Sequence, residues 1–210
     1  MPDFPDTSYS TIQSKQTTVY TAKDSRFIAT LLPAKDPEAA IEAVARLKLH
    51  FSTASHNCWA FRIGAGDRTI YRCDDDGEPA GTAGKPILQA LETRNVSDVL
   101  LLVTRYFGGS KLGIGGLIRA YSGAAFLILS EAELLKVEKQ DILIFTISYP
   151  QLNIVKSVLQ QQGARILDTN FKQDIYLKVS VPEARSAFVK QELMDLTKGK
   201  IVFQRNEKSS

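Results

Sequence analysis

The chain has 210 residues, 44% of them hydrophobic and 23% charged, which supplies core material for one large domain or two small ones and argues against wholesale disorder. No apolar run approaches the roughly 20 residues needed to span a bilayer, and the acidic, proline-broken start Met1-Pro2-Asp3-Phe4-Pro5-Asp6 is the reverse of a signal peptide, so a cytoplasmic location without membrane association is expected. A net charge of +3 is too small to announce a nucleic-acid binder, and two cysteines (Cys58, Cys73) with two histidines (His50, His56) give neither a disulfide scaffold nor a standard zinc spacing.

In chain order, residues 1–15 lack periodicity and read as a flexible arm. Residues 17–22 and 26–33 read as strands joined by the turn Lys23-Asp24-Ser25. Pro37 opens a helix capped by Asp36, with Ala40, Ile41, Val44, Leu47 and Phe51 on one face. Residues 57–63 and 69–73 are strands flanking Gly64-Ala65-Gly66-Asp67. An acidic loop, residues 74–84, precedes a short helix with Pro86 in its first turn. Residues 96–104 contain an unbroken apolar run suited to a buried central strand. A glycine-rich loop over residues 105–116 leads into a long apolar helix over 117–135.

The remainder alternates cleanly: strand 142–149, helix from Pro150 to Gly163, strands 164–171 and 175–181, helix from Pro182 to Gly199, strand 200–204. That β-α-β-β-α-β order is the ferredoxin-like pattern. The expected organisation is thus an arm over 1–15, an N-terminal domain over 16–135, a C-terminal domain over 136–205 and a frayed tail over 206–210. Residues 1–135 carry 14 Lys+Arg against 15 Asp+Glu, whereas residues 136–210 carry 12 against 8. The C-terminal domain is therefore mildly basic, either as a solvated surface or toward an anionic partner.

The glycine-rich loop holds five glycines in nine residues, Gly108, Gly109, Gly113, Gly115 and Gly116, just before a helix. Unpaired amides at a helix N-terminus, with Arg105, Lys111 and Arg119 adding charge, make an anion cradle. Tight helix–sheet packing and a catalytic loop are the other two readings. It is not a standard nucleotide motif. A Rossmann fingerprint from Gly113 needs glycine where Ile118 stands, and a P-loop ending at Gly84-Lys85 needs glycine at Pro79 and Ser or Thr at Pro86. Asp75, Asp76, Glu78 and Lys85 are expected to face the same cleft, in a loop that also holds Asp74. They can pair with Arg105 and Lys111, cap their own loop, hold a divalent cation, or touch a partner. His56 and Cys58 share one strand face and raise a nucleophile reading, against the commoner buried structural thiol. No catalytic residue, metal or cofactor is assigned.

Several of these stretches together resemble one family. They are Lys23-Asp24-Ser25-Arg26-Phe27, Ser55-His56-Asn57-Cys58-Trp59-Ala60-Phe61-Arg62-Ile63-Gly64, residues 75–86 and residues 103–121. The chain is similar to the Impact family, in its bacterial YigZ-type branch. The resemblance implies an α+β architecture: an N-terminal domain like domain 2 of ribosomal protein S5, then a ferredoxin-like domain like domain V of elongation factor G. It also implies a translation context, since eukaryotic members modulate translational stress signalling through a protein partner. The leading expectation is a non-enzymatic protein that binds RNA or a ribosome-related assembly. The alternatives are a regulator acting on a protein partner and an enzyme on a small phosphorylated ligand. A monomer is the default oligomeric expectation.

Overall fold

The computed structural model describes residues 7–66 and 69–204. The expected tail, the first six residues of the expected arm and Asp67 of one expected turn lie outside the described residues. The chain forms two compact units that part between Val137 and Glu138.

The described part of the arm is not loose. Ser8–Thr11 forms strand β1 and pairs with β7 (Leu135–Glu138), and Tyr9 and Ile12 are buried. Tyr9 donates to Asp98, and burial followed by that carboxylate pushes its hydroxyl up to about 12. An apolar residue every third position anchors the segment, a signal too short to register against the surrounding Ser and Thr.

The N-terminal unit is built on a five-stranded antiparallel sheet. Its order is β2 (Gln16–Ala22), β3 (Ser25–Pro33), β6 (Val99–Tyr106), β4 (His56–Ile63), β5 (Ile70–Asp74). β6 is the central strand and is buried on both faces. Val99, Leu101 and Val103 join the core under α2 (Gly84–Thr93) and α3 (Gly113–Glu131), while Leu100 and Leu102 join the core under α1 (Pro37–His50). Fully burying each such side chain contributes roughly 1.5–3 kcal/mol. The strand starts at Val99, not at Val96 as expected. The amides of Val96 and Ser97 go to the carbonyls of Leu91 and Ser10, and Asp98 takes φ +56°.

α1 is capped as expected: Asp36 Oδ1 accepts from the Ala39 amide at 2.7 Å, with Pro37 in the first turn. Its buried face is Ala40, Ala43, Val44 and Leu47, and Ile41, expected inside, is exposed. α3 is long and apolar enough to match a membrane span, but Leu117, Ala120, Tyr121, Ala124 and Ile128 give it a buried stripe against the sheet.

In the second unit β8 (Gln140–Ile147), α4 (Leu152–Gln161), β9 (Arg165–Phe171), β10 (Ile175–Pro182), α5 (Glu183–Leu196) and β11 (Val202–Phe203) follow one another. The four strands are antiparallel in the order β11-β8-β10-β9. Leu143, Phe145, Leu177 and Val179 meet Val155 and Leu159 of α4 and Val189 and Leu193 of α5 in a separate core. The Lys139–Glu183 pair at 2.8 Å and the Ser186 hydroxyl on Asp141 at 2.6 Å hold the start of α5 to the strand opening.

Candidate functional site

The acidic loop is occupied with itself. Asp75 accepts from the amides of Gly81, Ala83 and Gly84 at 2.7–2.9 Å, which closes the loop and caps α2. Burial works to raise its pKa, but those three amides outweigh burial and hold the carboxyl below its ordinary value. Asp76 meets Lys48 Nζ at 2.5 Å and accepts from the Asn57 amide at 2.6 Å. Asp74 accepts from the Asp76 amide at 2.8 Å. Gly84 allows this closure, because a Cβ there would lie 2.8 Å from the Asp74 backbone. Among the described residues no cluster of His, Cys, Asp and Glu is arranged to hold a metal ion. Lys85 is exposed, and of Asp75, Asp76, Glu78 and Lys85 only Glu78 lines the cavity described below.

Glu78 turns inward. Its Oε1 accepts from Arg105 Nη1 at 2.7 Å and from the Tyr121 hydroxyl at 2.8 Å. The two charged side chains are only 4% and 7% exposed. Arg105 also stacks on Phe27 and Phe107, at 5.7 and 5.5 Å to the ring centroids, and among the described residues its Nε finds no hydrogen-bond partner. The guanidinium expected to grip a phosphate is thus bound to a buried carboxylate. β6 carries it inward because it alternates with Thr104 and Tyr106 on a strand buried almost to its end.

Beneath this pair the Cys58 thiol lies 3.0 Å from the Asp75 carbonyl and 3.3 Å from the Tyr121 oxygen. Burial pushes the Cys58 thiol and the Tyr121 hydroxyl well above their ordinary values, so both remain neutral. His56 does not serve Cys58. Its Nδ1 sits 2.8 Å from the Asp76 carbonyl, which can only accept, so Nδ1 carries the proton and Nε2 faces Glu78 Oε2 at 4.0 Å. Cys58 is a structural thiol.

The glycine segment divides into parts with different duties. Arg105 and Tyr106 belong to β6, and the loop proper is residues 107–112. Gly108 is a packing glycine, since a Cβ would come within 1.8 Å of the Asp24 carbonyl oxygen. Gly109 has open space around it but φ +101°, which only glycine adopts readily. Gly113, Gly115 and Gly116, expected in the loop, lie in the first turn of α3. The helix begins four residues before the expected Leu117 because Leu112 and Leu117 tie this turn to the core. Leu112 provides no side-chain cap, and the first turn holds no acid. The positive end of a 19-residue helix is therefore uncompensated by its own sequence.

This helix end opens on a cavity of about 480 Å³. Glu78, Arg105 and His56 form its polar side, Phe107, Leu112, Ile114 and Leu117 its apolar side, and Lys111 and Gly113 stand at the helix end. Of the expected site residues, Arg105, Lys111, Gly113 and Glu78 meet here. Gly108, Gly109, Gly115 and Gly116 shape the segment, and Arg119 lies over Gly115, away from the cavity lining. The sequence reading missed Ser55, His56 as a neighbour of Glu78, and the apolar wall. Strand parity alone pairs His56 with Cys58. Phe107 and Ile114 gave a usable signal as large apolar residues inside a glycine-rich, polar loop.

The Impact N-terminal domain model matches residues 23–129, which include every residue of the cavity, and a domain of unknown function (DUF1949) matches residues 145–200 of the second unit. The chain is 35% identical to the IMPACT family member YigZ of Escherichia coli (strain K12), covering 88% of this chain and 91% of that one. It is 37% identical over 97 residues to Protein IMPACT of Bos taurus, covering 44% of this chain and 30% of that one. A solved structure described as that of a hypothetical protein has 31% sequence identity and a TM-score of 0.64, covering 96% of this chain and 98% of the other. With its N-terminal unit matched from the turn before β3 to the end of α3, and bacterial relatives aligned over nearly all of its length, the chain belongs to the IMPACT family.

Proposed function

We propose that this protein binds RNA, or a ribosome-related assembly containing it, in a translation-associated and non-enzymatic role in the cytoplasm. The observation that carries the reading is the uncapped N-terminus of α3, opening with exposed Lys111 onto a formed cavity. Backbone amides and one lysine suit a phosphate, and the wall beside them suits an unstacked base. Binding is favoured over catalysis because Cys58 is buried with its pKa pushed up, and Glu78 is held by Arg105 and Tyr121. The same reading assigns the N-terminal unit to the ribosomal protein S5 domain 2-like fold. The strand order β11-β8-β10-β9 supports a ferredoxin-like second domain, similar to domain V of elongation factor G. That domain supplies a second, mildly basic surface, because residues 136–210 carry 12 Lys+Arg against 8 Asp+Glu.

A salt titration of binding to mixed cellular RNA tests this. Affinity falls as salt rises, and Lys111→Ala flattens the log-log slope by about 0.7, the value for one phosphate on a single strand. Gln89→Ala, on the exposed side of α2, leaves it unchanged. Equal, salt-insensitive binding by all three proteins overturns the reading. It would favour a protein partner, for which Ile114 and Ile118, 65% and 39% exposed on α3, are the contact surface.

A further inference from the structure

The carboxylate in the cavity is only half satisfied. Glu78 Oε1 takes two hydrogen bonds, whereas Oε2 accepts none among the described residues, although the side chain is 96% buried (4% exposed) and lines the cavity. Four ångströms from it (4.0 Å) is His56 Nε2, which in the neutral ring is the acceptor nitrogen, because Nδ1 donates to the Asp76 carbonyl. Two acceptors therefore stand side by side at the polar end, with no donor between them. A buried carboxylate oxygen in that condition is costly unless a donor arrives. The rest of the lining is largely apolar, with Phe107 half exposed, and it includes Gly113 at the anion-attracting end of α3.

We infer that the cavity takes a single nucleobase bearing an exocyclic amino group beside a ring N–H, the edge that guanine presents, with its 5′-phosphate at the N-terminus of α3. This rests on the nucleic-acid reading above and names what the site selects. The amino and imino hydrogens meet Glu78 Oε2 and His56 Nε2, and the ring lies against Phe107 and Ile114. Uracil is disfavoured, since its one N–H is flanked by carbonyl oxygens that would face the two acceptors. Arg105 and Tyr121 are positioning residues, which fix Oε1 so that Oε2 points to the ligand. The ligand is either a free nucleotide or an unstacked residue in an RNA chain.

Calorimetric titration with GMP and IMP, which differ only in the amino group, tests the inference. GMP binds at least about tenfold more tightly, the scale for losing a hydrogen bond to a charged group. Glu78→Gln abolishes that ratio, since its amide oxygen stays on Arg105 and turns an NH₂ toward the ligand. Should that variant fail to fold, His56→Ala leaves the Glu78–Arg105–Tyr121 set intact and weakens GMP and IMP alike, at least about threefold, because both keep the ring N–H. Lys111→Ala weakens GMP and IMP by the same factor. Equal affinity of wild type for GMP and IMP overturns the inference, as does a GMP affinity unchanged by His56→Ala. Salt-dependent, Lys111-dependent RNA binding without GMP/IMP discrimination overturns the base selectivity and leaves the RNA reading standing. A hexanucleotide with one guanine that binds more tightly than GMP identifies the chain as the source. One that binds no better assigns the cavity to free nucleotide, which upholds the base pocket and overturns the RNA reading.

Discussion

Residues 74–84 and residues 107–116 both lead from a strand into a helix, and they treat their polar groups oppositely. In the first, Asp75 satisfies three amides including the start of α2, Asp76 satisfies Lys48 and Asn57, and Asp74 satisfies Asp76. In the second, α3 starts without a side-chain cap or a first-turn acid, and Phe107 and Ile114 stay exposed. The acids that looked like ligands are internal structure. On the proposed function, recognition falls to the second segment, where hydrogen-bonding groups are left open.

The largest effect that could break this contrast is at Glu78, the one acid that leaves the first loop to serve the second. Glu78→Ala strands the buried Arg105 cation and is expected to cost about 3–5 kcal/mol in urea unfolding. Replacing both, as Glu78→Leu with Arg105→Met, is expected to recover most of that stability, because the pair's burial is costly in itself. A loss below about 1 kcal/mol for Glu78→Ala would mean that the pair is solvated in solution.

Next in size is a split between adjacent glycines. Gly108→Ala drives a methyl against the Asp24 carbonyl and is expected to cost about 2–3 kcal/mol, by forcing the β2–β3 turn to move. Gly109→Ala meets no neighbour and is expected to cost about 1 kcal/mol, from φ alone. Equal costs would show that residues 107–109 are not seated on that turn.

The smallest effect sharpens the account of the acidic loop. Asp75→Asn is expected to cost about 1–2 kcal/mol at pH 7, the scale of an N-cap and its neighbours. The folded carboxyl sits below its ordinary value, so its contribution is fully present above the unfolded pKa and is lost as pH falls through the folded one. Wild type and Asp75→Asn should therefore differ most above about pH 4 and converge as pH falls through the lowered folded pKa. Parallel curves across that window would remove the carboxylate as the cause.

Much of the fold was legible because the periodicities were strong. The apolar run in β6 and the cap at Asp36 needed no tertiary information, nor did the alternation after residue 140. The start of α3 was not legible, since three glycines in a first turn carry no helical preference and only packing of Leu112 and Leu117 commits them. The site was half legible. Glycines, Lys111 and Glu78 could be placed near one another from composition and motif. The inward turn of Arg105 depends on its register opposite Phe27 and His56, a pairing across distant strands that no local pattern encodes.

The strand order has a bearing on how the N-terminal unit is made. β2 with β3, and β4 with β5, are local hairpins, yet neither pair touches the other except through β6. β6 is the last of the five to be synthesised. Until about residue 106 has left the ribosome, the growing chain holds two unjoined ribbons with bare apolar faces. One insertion then joins them, and that step must also bury Arg105 against Glu78. Closing loops of this length precedes any reward from contact, so the unit assembles late and in a single concerted event.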